Sequence, residues 1–464
     1  MFNRRNLPLR LALAALGGLA IFVPQAHTQV PARVSWLDPY RETSTRLIHA
    51  ATGDDFAWRR LAELTDTHGN RLSGSENLER AIAWAADTMK RDGLENVRTE
   101  PVMVPRWVRG RESAEIVSPP HHTVTMLGLG GSVGTPPEGL EADVVVVNSF
   151  EDLRAHTAEI KGRIVLFNAP FTTYGDTVTY RTGGARAAAQ LGAVAALVRG
   201  VGPTGLRTPH TGSVQYGQGA PQIPAASVAA EDADRIARLR ARGVPVRMRL
   251  MMEARTEPDV PSANVVGELR GRERPHEIVL LGGHLDSWDV GAGASDDGVG
   301  CIVTWEAARL MAKLGIRPRR TVRIVLWTNE ENGLRGGTAY RDRYRDQLAN
   351  HVLMMESDSG VFRPTGFGFT GSAAARTKIE GIATLLRGIH AGKISPAGGG
   401  ADIGPSVEAG KIPSMSLEVD GNYFLLHHTP ADTVDKIDPM DMARASGAIA
   451  VMTYVIADMT ERIR

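Results

Sequence analysis

Ile278-Val279-Leu280-Leu281-Gly282-Gly283-His284-Leu285-Asp286, followed by Gly291-Ala292-Gly293-Ala294-Ser295-Asp296-Asp297-Gly298, is the stretch on which the fold turns. Four consecutive apolar residues, with no polar residue alternating between them, mark a strand buried on both faces. The glycine-rich loop after it leads into Gly298–Leu314, an apolar run at helical spacing. The same alternation repeats downstream. Thr321–Thr328, Val352–Glu356 and Ser414–Val419 read as strands, and Leu334–Tyr344, Thr377–Arg387 and Met440–Met459 as helices. The pattern predicts an α/β domain whose mixed, mostly parallel sheet is flanked by helices.

Working outward, residues 41–98 read as helical, with apolar spacing clear in Ala81–Met89 and a stop at Gly93. The texture changes near residue 120, at Pro119-Pro120 and the glycine-rich Gly128–Gly139 stretch. Ala142–Val147, Arg163–Asn168, Val194–Val198, Ile223–Val228 and Val244–Met251 read as short strands around an Ala185–Leu191 helix. We therefore expect a β-rich unit over 120–253, inserted between two segments of a larger domain, 31–119 and 254–464. Residues 1–30 read as a cleaved signal peptide: Arg4, Arg5 and Arg10, an apolar Leu11–Val23, then Pro24 and small or polar residues. That apolar run is shorter than the ~20 residues a membrane span needs, so the expectation is an exported chain, secreted or periplasmic.

Composition narrows the function. The 464 residues carry a net charge of +1 and no long basic run, which gives no footprint for nucleic acid. The one cysteine, Cys301, rules out an intramolecular disulfide, and its apolar helical setting suggests an inert buried thiol.

In such a sheet, ligands gather at the carboxyl ends of the strands. Four strand ends here carry His or carboxylate groups: His284 and Asp286, then Glu330-Glu331, then Glu356 and Asp358, then His427-His428, with Asp296 in the glycine-rich loop. Two carboxylates ~4 Å apart repel by ~4 kcal/mol at an effective dielectric of 20. A converging cluster would therefore rival the ~5–15 kcal/mol stability of a domain unless protons or cations offset it. Two interspersed histidines favour a metal, and nitrogen and oxygen donors without thiolate suit zinc, with cobalt or manganese as substitutes.

The set His284-Leu285-Asp286, Gly293–Gly298, Glu330-Glu331, Glu356-Ser357-Asp358 and His428-Thr429-Pro430-Ala431-Asp432 resembles the ordered motifs of the M28 family of co-catalytic zinc peptidases. Tyr180-Arg181-Thr182, Pro209-His210-Thr211-Gly212 and Leu326-Trp327-Thr328 add to the likeness, which runs from about residue 40 to the C-terminus. The resemblance implies a zinc-exopeptidase fold, with a protease-associated domain as the 120–253 insertion. It implies two Zn2+ per subunit: His284 and Asp358 on one, Glu331 and His428 on the other, Asp296 bridging. Glu330 would be the general base, and the carboxylate of Asp286 would hold the far nitrogen of His284. A cis peptide at Asp296–Asp297 is also implied. Many relatives carry a tyrosine before the last histidine ligand; here His427 stands there and is the expected oxyanion donor, with Tyr423 as the alternative. Asp402, after Gly398-Gly399-Gly400, either holds a substrate amine or is a solvated loop residue. The implied substrates are dipeptides or short peptides, cleaved by a carboxypeptidase or dipeptidase in a homodimer. An aminopeptidase, a non-catalytic binding protein on the same scaffold and a single-zinc acyltransferase are the alternatives.

Overall fold

A computed structural model describes residues 34–118 and 120–463; the expected signal peptide lies outside the described residues. The main sheet has eight strands, in the order Glu95–Val108, Arg255–Leu269, Arg320–Trp327, Arg274–His284, His351–Glu356, Ser414–Val419, Pro364–Thr370 and Lys393–Ser395. The four central strands are parallel, and antiparallel pairs flank them on both sides. The fold is thus α/β with a mixed sheet, parallel where the sequence is most apolar.

The burial of the Arg274–His284 strand explains its composition. Val279 and Leu281 pack into the larger core with the Val299–Lys313 and Pro439–Asp458 helices. Ile278 and Leu280 face the opposite way, against Tyr340, Tyr344 and Ile403. Successive side chains thus enter different cores, so neither face tolerates a polar residue. In register, Leu281 lies beside Ile324 on one side and Met355 on the other, which brings the carboxyl ends of the central strands to one rim.

Four of the sheet's eight strands were not anticipated: Pro364–Thr370 and Lys393–Ser395 at one end, and two at the other. Glu95–Val108 begins where helix was expected, and pairs antiparallel with Arg255–Leu269 as a long edge ribbon. The helical segment before it is three separate helices, Asp38–Thr52, Phe56–His68 and Glu76–Arg91.

A second eight-stranded sheet is built from Glu112 to Met252 and starts ahead of Pro120. Its Tyr174–Gln190 and Ala230–Ala241 helices contribute to two different apolar clusters, one including Ala185 and Ala188, the other Ala233 and Ile236. Among the described residues, no helix is long and apolar enough to cross a membrane.

Candidate metal centre

His284 ends its strand, and Asp296 sits in the loop before the Val299–Lys313 helix. Glu331, Asp358 and His428 follow the strands ending at Trp327, Glu356 and Val419. The structure brings all five together. One oxygen of Asp296, Oδ1, is 3.2 Å from His284 Nε2, which is 3.5 Å from Asp358 Oδ1. The other, Oδ2, is 3.2 Å from His428 Nε2, which is 3.0 Å from Glu331 Oε2. The Asp296–Asp297 peptide is cis.

These distances allow a test of metal fit. Donor atoms each ~2.0–2.1 Å from one tetrahedral zinc stand about 3.3 Å apart. The four separations above bracket that value. His284 Nε2, Asp296 Oδ2 and Asp358 Oδ1 are buried without a hydrogen-bond partner, which a native interior avoids unless something else meets them. Burial, and then the Asp296 carboxylate, push Glu331 up to about 7; burial, and then Asp358, do the same to Glu356. Burial disfavours the His284 imidazolium, but Asp296 and Asp358 outweigh it and raise that group well above its ordinary range. A cluster that distorts its own ionisation this far is short of positive charge, and the imidazole and carboxylate donors fit zinc.

The loop geometry has identifiable causes. Arg71 is fully buried and donates to the carbonyls of Leu285 (2.7 Å), Ala292 (2.8 Å), Gly293 (2.9 Å) and Gly69 (2.9 Å), tying down both ends of the His284–Asp296 loop. Gly293 has φ +60°, and a Cβ there would meet Ser287 Cβ at 2.3 Å. The Asp432 carboxylate accepts from the backbone N–H groups of Ser295 (2.6 Å) and Asp296 (3.1 Å). Asp297 turns away from the cluster to accept from the N–H groups of His284 and Gly300.

Asp286 differs from expectation. His284 Nδ1 is 2.8 Å from the backbone oxygen of Asp286, whereas the nearest carboxylate oxygen is 3.9 Å away. That carboxylate instead accepts from the N–H groups of Glu330 (3.1 Å) and Glu331 (3.3 Å), and from Ser73 Oγ (3.3 Å). The ring is met by the backbone oxygen two residues on, which leaves the Asp286 side chain to meet the loop that carries Glu330 and Glu331.

Glu330 is half-buried and lines a cleft of about 450 Å³ with Glu331, Trp107, Ser213 and Leu334. His427 stacks on His428 with ring centroids 3.5 Å apart, and its Nε2 is 3.7 Å from Asp296 Oδ2. It therefore stands close enough to be a metal donor as well as an oxyanion donor. Burial, and then His428, hold it well below the ordinary histidine range, so it is neutral. Tyr423 packs on His427 at 5.1 Å. Asp402 is fully buried, not solvated, and neither carboxylate oxygen has a partner. Cys301 is buried in its helix, as its apolar setting suggested.

Residues from the second sheet's unit also reach the centre. His210, Thr211 and Ser213 contact His427, His428 and Glu331. The motif holding His210 and Thr211 was visible in the sequence, but its partners, the His427 and His428 carbonyls and the His428 ring, lie more than two hundred residues away, and no spacing rule reveals those.

Residues 264–453 match the model of peptidase family M28. The chain is 46% identical over 408 residues to Carboxypeptidase Q of Homo sapiens, covering 88% of this chain and 86% of that protein. It is 44% identical to Carboxypeptidase Q of Mus musculus, covering 91% of each. Among solved structures, a Peptidase M28 precursor from Shewanella amazonensis superimposes with a TM-score of 0.89 at 34% identity, over 92% of this chain and 98% of that one. A zinc aminopeptidase from Bacillus subtilis shares the fold, with a TM-score of 0.66 at 20% identity over 88% of this chain and 96% of that one. The chain belongs to peptidase family M28.

Proposed function

We propose that this M28 metallo-exopeptidase hydrolyses dipeptides or short peptides as a carboxypeptidase or dipeptidase, using two zinc ions per subunit. The observation that carries the reading is Asp296, whose two carboxylate oxygens each stand 3.2 Å from a different histidine, His284 on one side and His428 on the other. His284, Asp296 and Asp358 would hold one ion, and Asp296, Glu331 and His428 the other. When bound, the ions polarise the scissile carbonyl and acidify the attacking water.

The chain's own residues do the rest. Glu330 lies beside the donor set and faces the cleft, so its carboxylate takes the proton of the attacking water and delivers it to the departing amine. Asp286 positions it by accepting the N–H of Glu330 and that of Glu331, so proton carrier and metal donor are aligned by one carboxylate. His427, neutral and beside Asp296, donates a hydrogen bond to the carbonyl oxygen as charge builds on it. The likeness to Carboxypeptidase Q over most of both chains supports attack at a free carboxyl terminus.

The same reading assigns the Glu112–Met252 sheet to an inserted protease-associated domain, and the protein to an exported homodimer. Gel filtration of the mature chain eluting as a monomer would remove the dimer. The decisive experiment is a panel of dipeptides, each free, amino-blocked and carboxyl-amidated, with metal analysis of the same sample. The reading expects two zincs per chain and turnover that is lost on amidation, with the amino block tolerated by a carboxypeptidase and not by a dipeptidase. Turnover that survives amidation but not the amino block would make the enzyme an aminopeptidase, and no turnover in a zinc-replete sample would make it a binding protein.

A further inference from the structure

The two halves of the metal centre are supported differently. His284 is oriented from within its own loop, by the Asp286 carbonyl. His428 is oriented from the other sheet's unit. The Thr211 N–H donates to the His428 carbonyl at 2.9 Å, and the Thr211 carbonyl lies 3.2 Å from His428 Nδ1. Two further contacts come from the same stretch: His210 Nδ1 is 2.8 Å from the His427 carbonyl, and Ser213 Oγ donates to the Glu331 carbonyl at 3.1 Å.

The chemistry gives these contacts a direction. A histidine that ligates through Nε2 carries its proton on Nδ1 and needs an acceptor there. Arg181 Nη1, 3.3 Å from Nδ1, has no lone pair to offer, so the acceptor is the Thr211 carbonyl. Arg181 also donates to that carbonyl at 3.2 Å, bracing it from behind. The approach is so close that a Cβ on Gly212, which has φ +132°, would stand 2.3 Å from the Arg181 guanidinium carbon. His428 itself has φ +61°, unusual for a residue with a side chain, so its backbone depends on external support.

We propose that the His210–Ser213 segment, braced by Arg181, is a positioning element that sets zinc affinity in the Glu331–His428 half of the centre only. The His284–Asp358 half is completed by the main sheet alone. The inference rests on the proposed zinc ligation and adds that the second unit controls one ion of the pair.

The test separates the halves. The full-length mature chain, stripped of metal, is titrated with zinc against a chromophoric chelator in two backgrounds, Glu331→Ala and Asp358→Ala, each with and without Gly212→Ala. Loss of a partner behind a metal-ligating histidine weakens binding ~10–100-fold. Gly212→Ala should produce that loss in the Asp358→Ala background, where the Glu331–His428 half keeps its terminal donors, and a much smaller change in the Glu331→Ala background, because the segment's contacts described above go to His427, His428 and Glu331. Arg181→Lys, which keeps the charge but loses the forked contact, should move the same way by a smaller factor. Circular dichroism and melting of each apo-protein check that the variants fold. If Gly212→Ala unfolds the chain, Arg181→Lys and Ser213→Ala carry the comparison. Equal weakening in both backgrounds, or none in either, overturns the positioning role while leaving zinc ligation intact. Absence of zinc binding by the parent chain overturns the proposed function and this assignment with it.

Discussion

Replacing Asp286 with asparagine distinguishes two ways of building this centre. If its carboxylate oriented His284, the substitution would weaken zinc in the His284–Asp358 half by ~10–100-fold. In the structure the carboxylate is 3.9 Å from that ring and accepts instead from the N–H groups of Glu330 and Glu331, at 3.1 and 3.3 Å. Asparagine keeps one acceptor oxygen but turns an NH2 toward the second N–H, so one charge-assisted bond is lost and two donors face each other. A hydrogen bond to a charged group contributes ~1.5–3 kcal/mol, and bonds of this length belong at the lower end, about 1.5–2 kcal/mol. The cost falls on the loop that carries Glu330. Misplacing a reacting group by about 1 Å costs ~100-fold in rate, so we expect kcat to fall ~10–100-fold with KM little changed. Zinc affinity in the His284–Asp358 half, measured by chelator competition in the Glu331→Ala background, should change less than ~3-fold. A kcat near the parent value together with selective zinc loss from that half would refute this reasoning and return the carboxylate to His284.

Other outcomes follow from the same geometry. Glu330→Gln should retain zinc and lose ~10²–10⁴-fold in kcat, the range for removal of a general base; a near-parent rate would remove the assignment. His427→Ala should lower kcat by ~10²–10³-fold, as loss of an oxyanion donor does, while Tyr423→Phe changes it little; the reverse order would transfer the role to Tyr423. Chelation should abolish activity and lower the melting temperature, since free zinc at 100 times its Kd stabilises a folded protein by ~2.7 kcal/mol; calorimetry showing identical melts with and without zinc would contradict that.

The sequence announced the parts of this molecule whose cause is local. Ile278–Leu281 had to be a central strand because each residue enters one of two cores. The acidic and histidine-rich strand ends stood out because topology alone carries them to one rim, and the resemblance to the M28 motifs singled out the five proposed donors among them. What escaped reading had causes elsewhere. The edge ribbon was missed because Pro101 and Pro105 in one strand, and Pro258 and Pro261 in the other, contradict strand character unless the strands lie at an edge or irregularity. Asp286 was misread because a carboxylate near a metal-binding histidine suggests a side-chain partner, whereas the ring uses a backbone carbonyl that any residue could supply. Arg71 and Thr211 act through carbonyl groups as well, and of the two readings of Asp402 the solvated one, prompted by the glycines before it, gives way because its loop is packed inward.

The most direct test is anomalous X-ray scattering at the zinc edge from crystals of the zinc-loaded chain. The account predicts two peaks, each ~2.0–2.2 Å from a different oxygen of Asp296, one beside His284 and Asp358 and the other beside Glu331 and His428. A single peak, or two peaks that do not share Asp296, would contradict it.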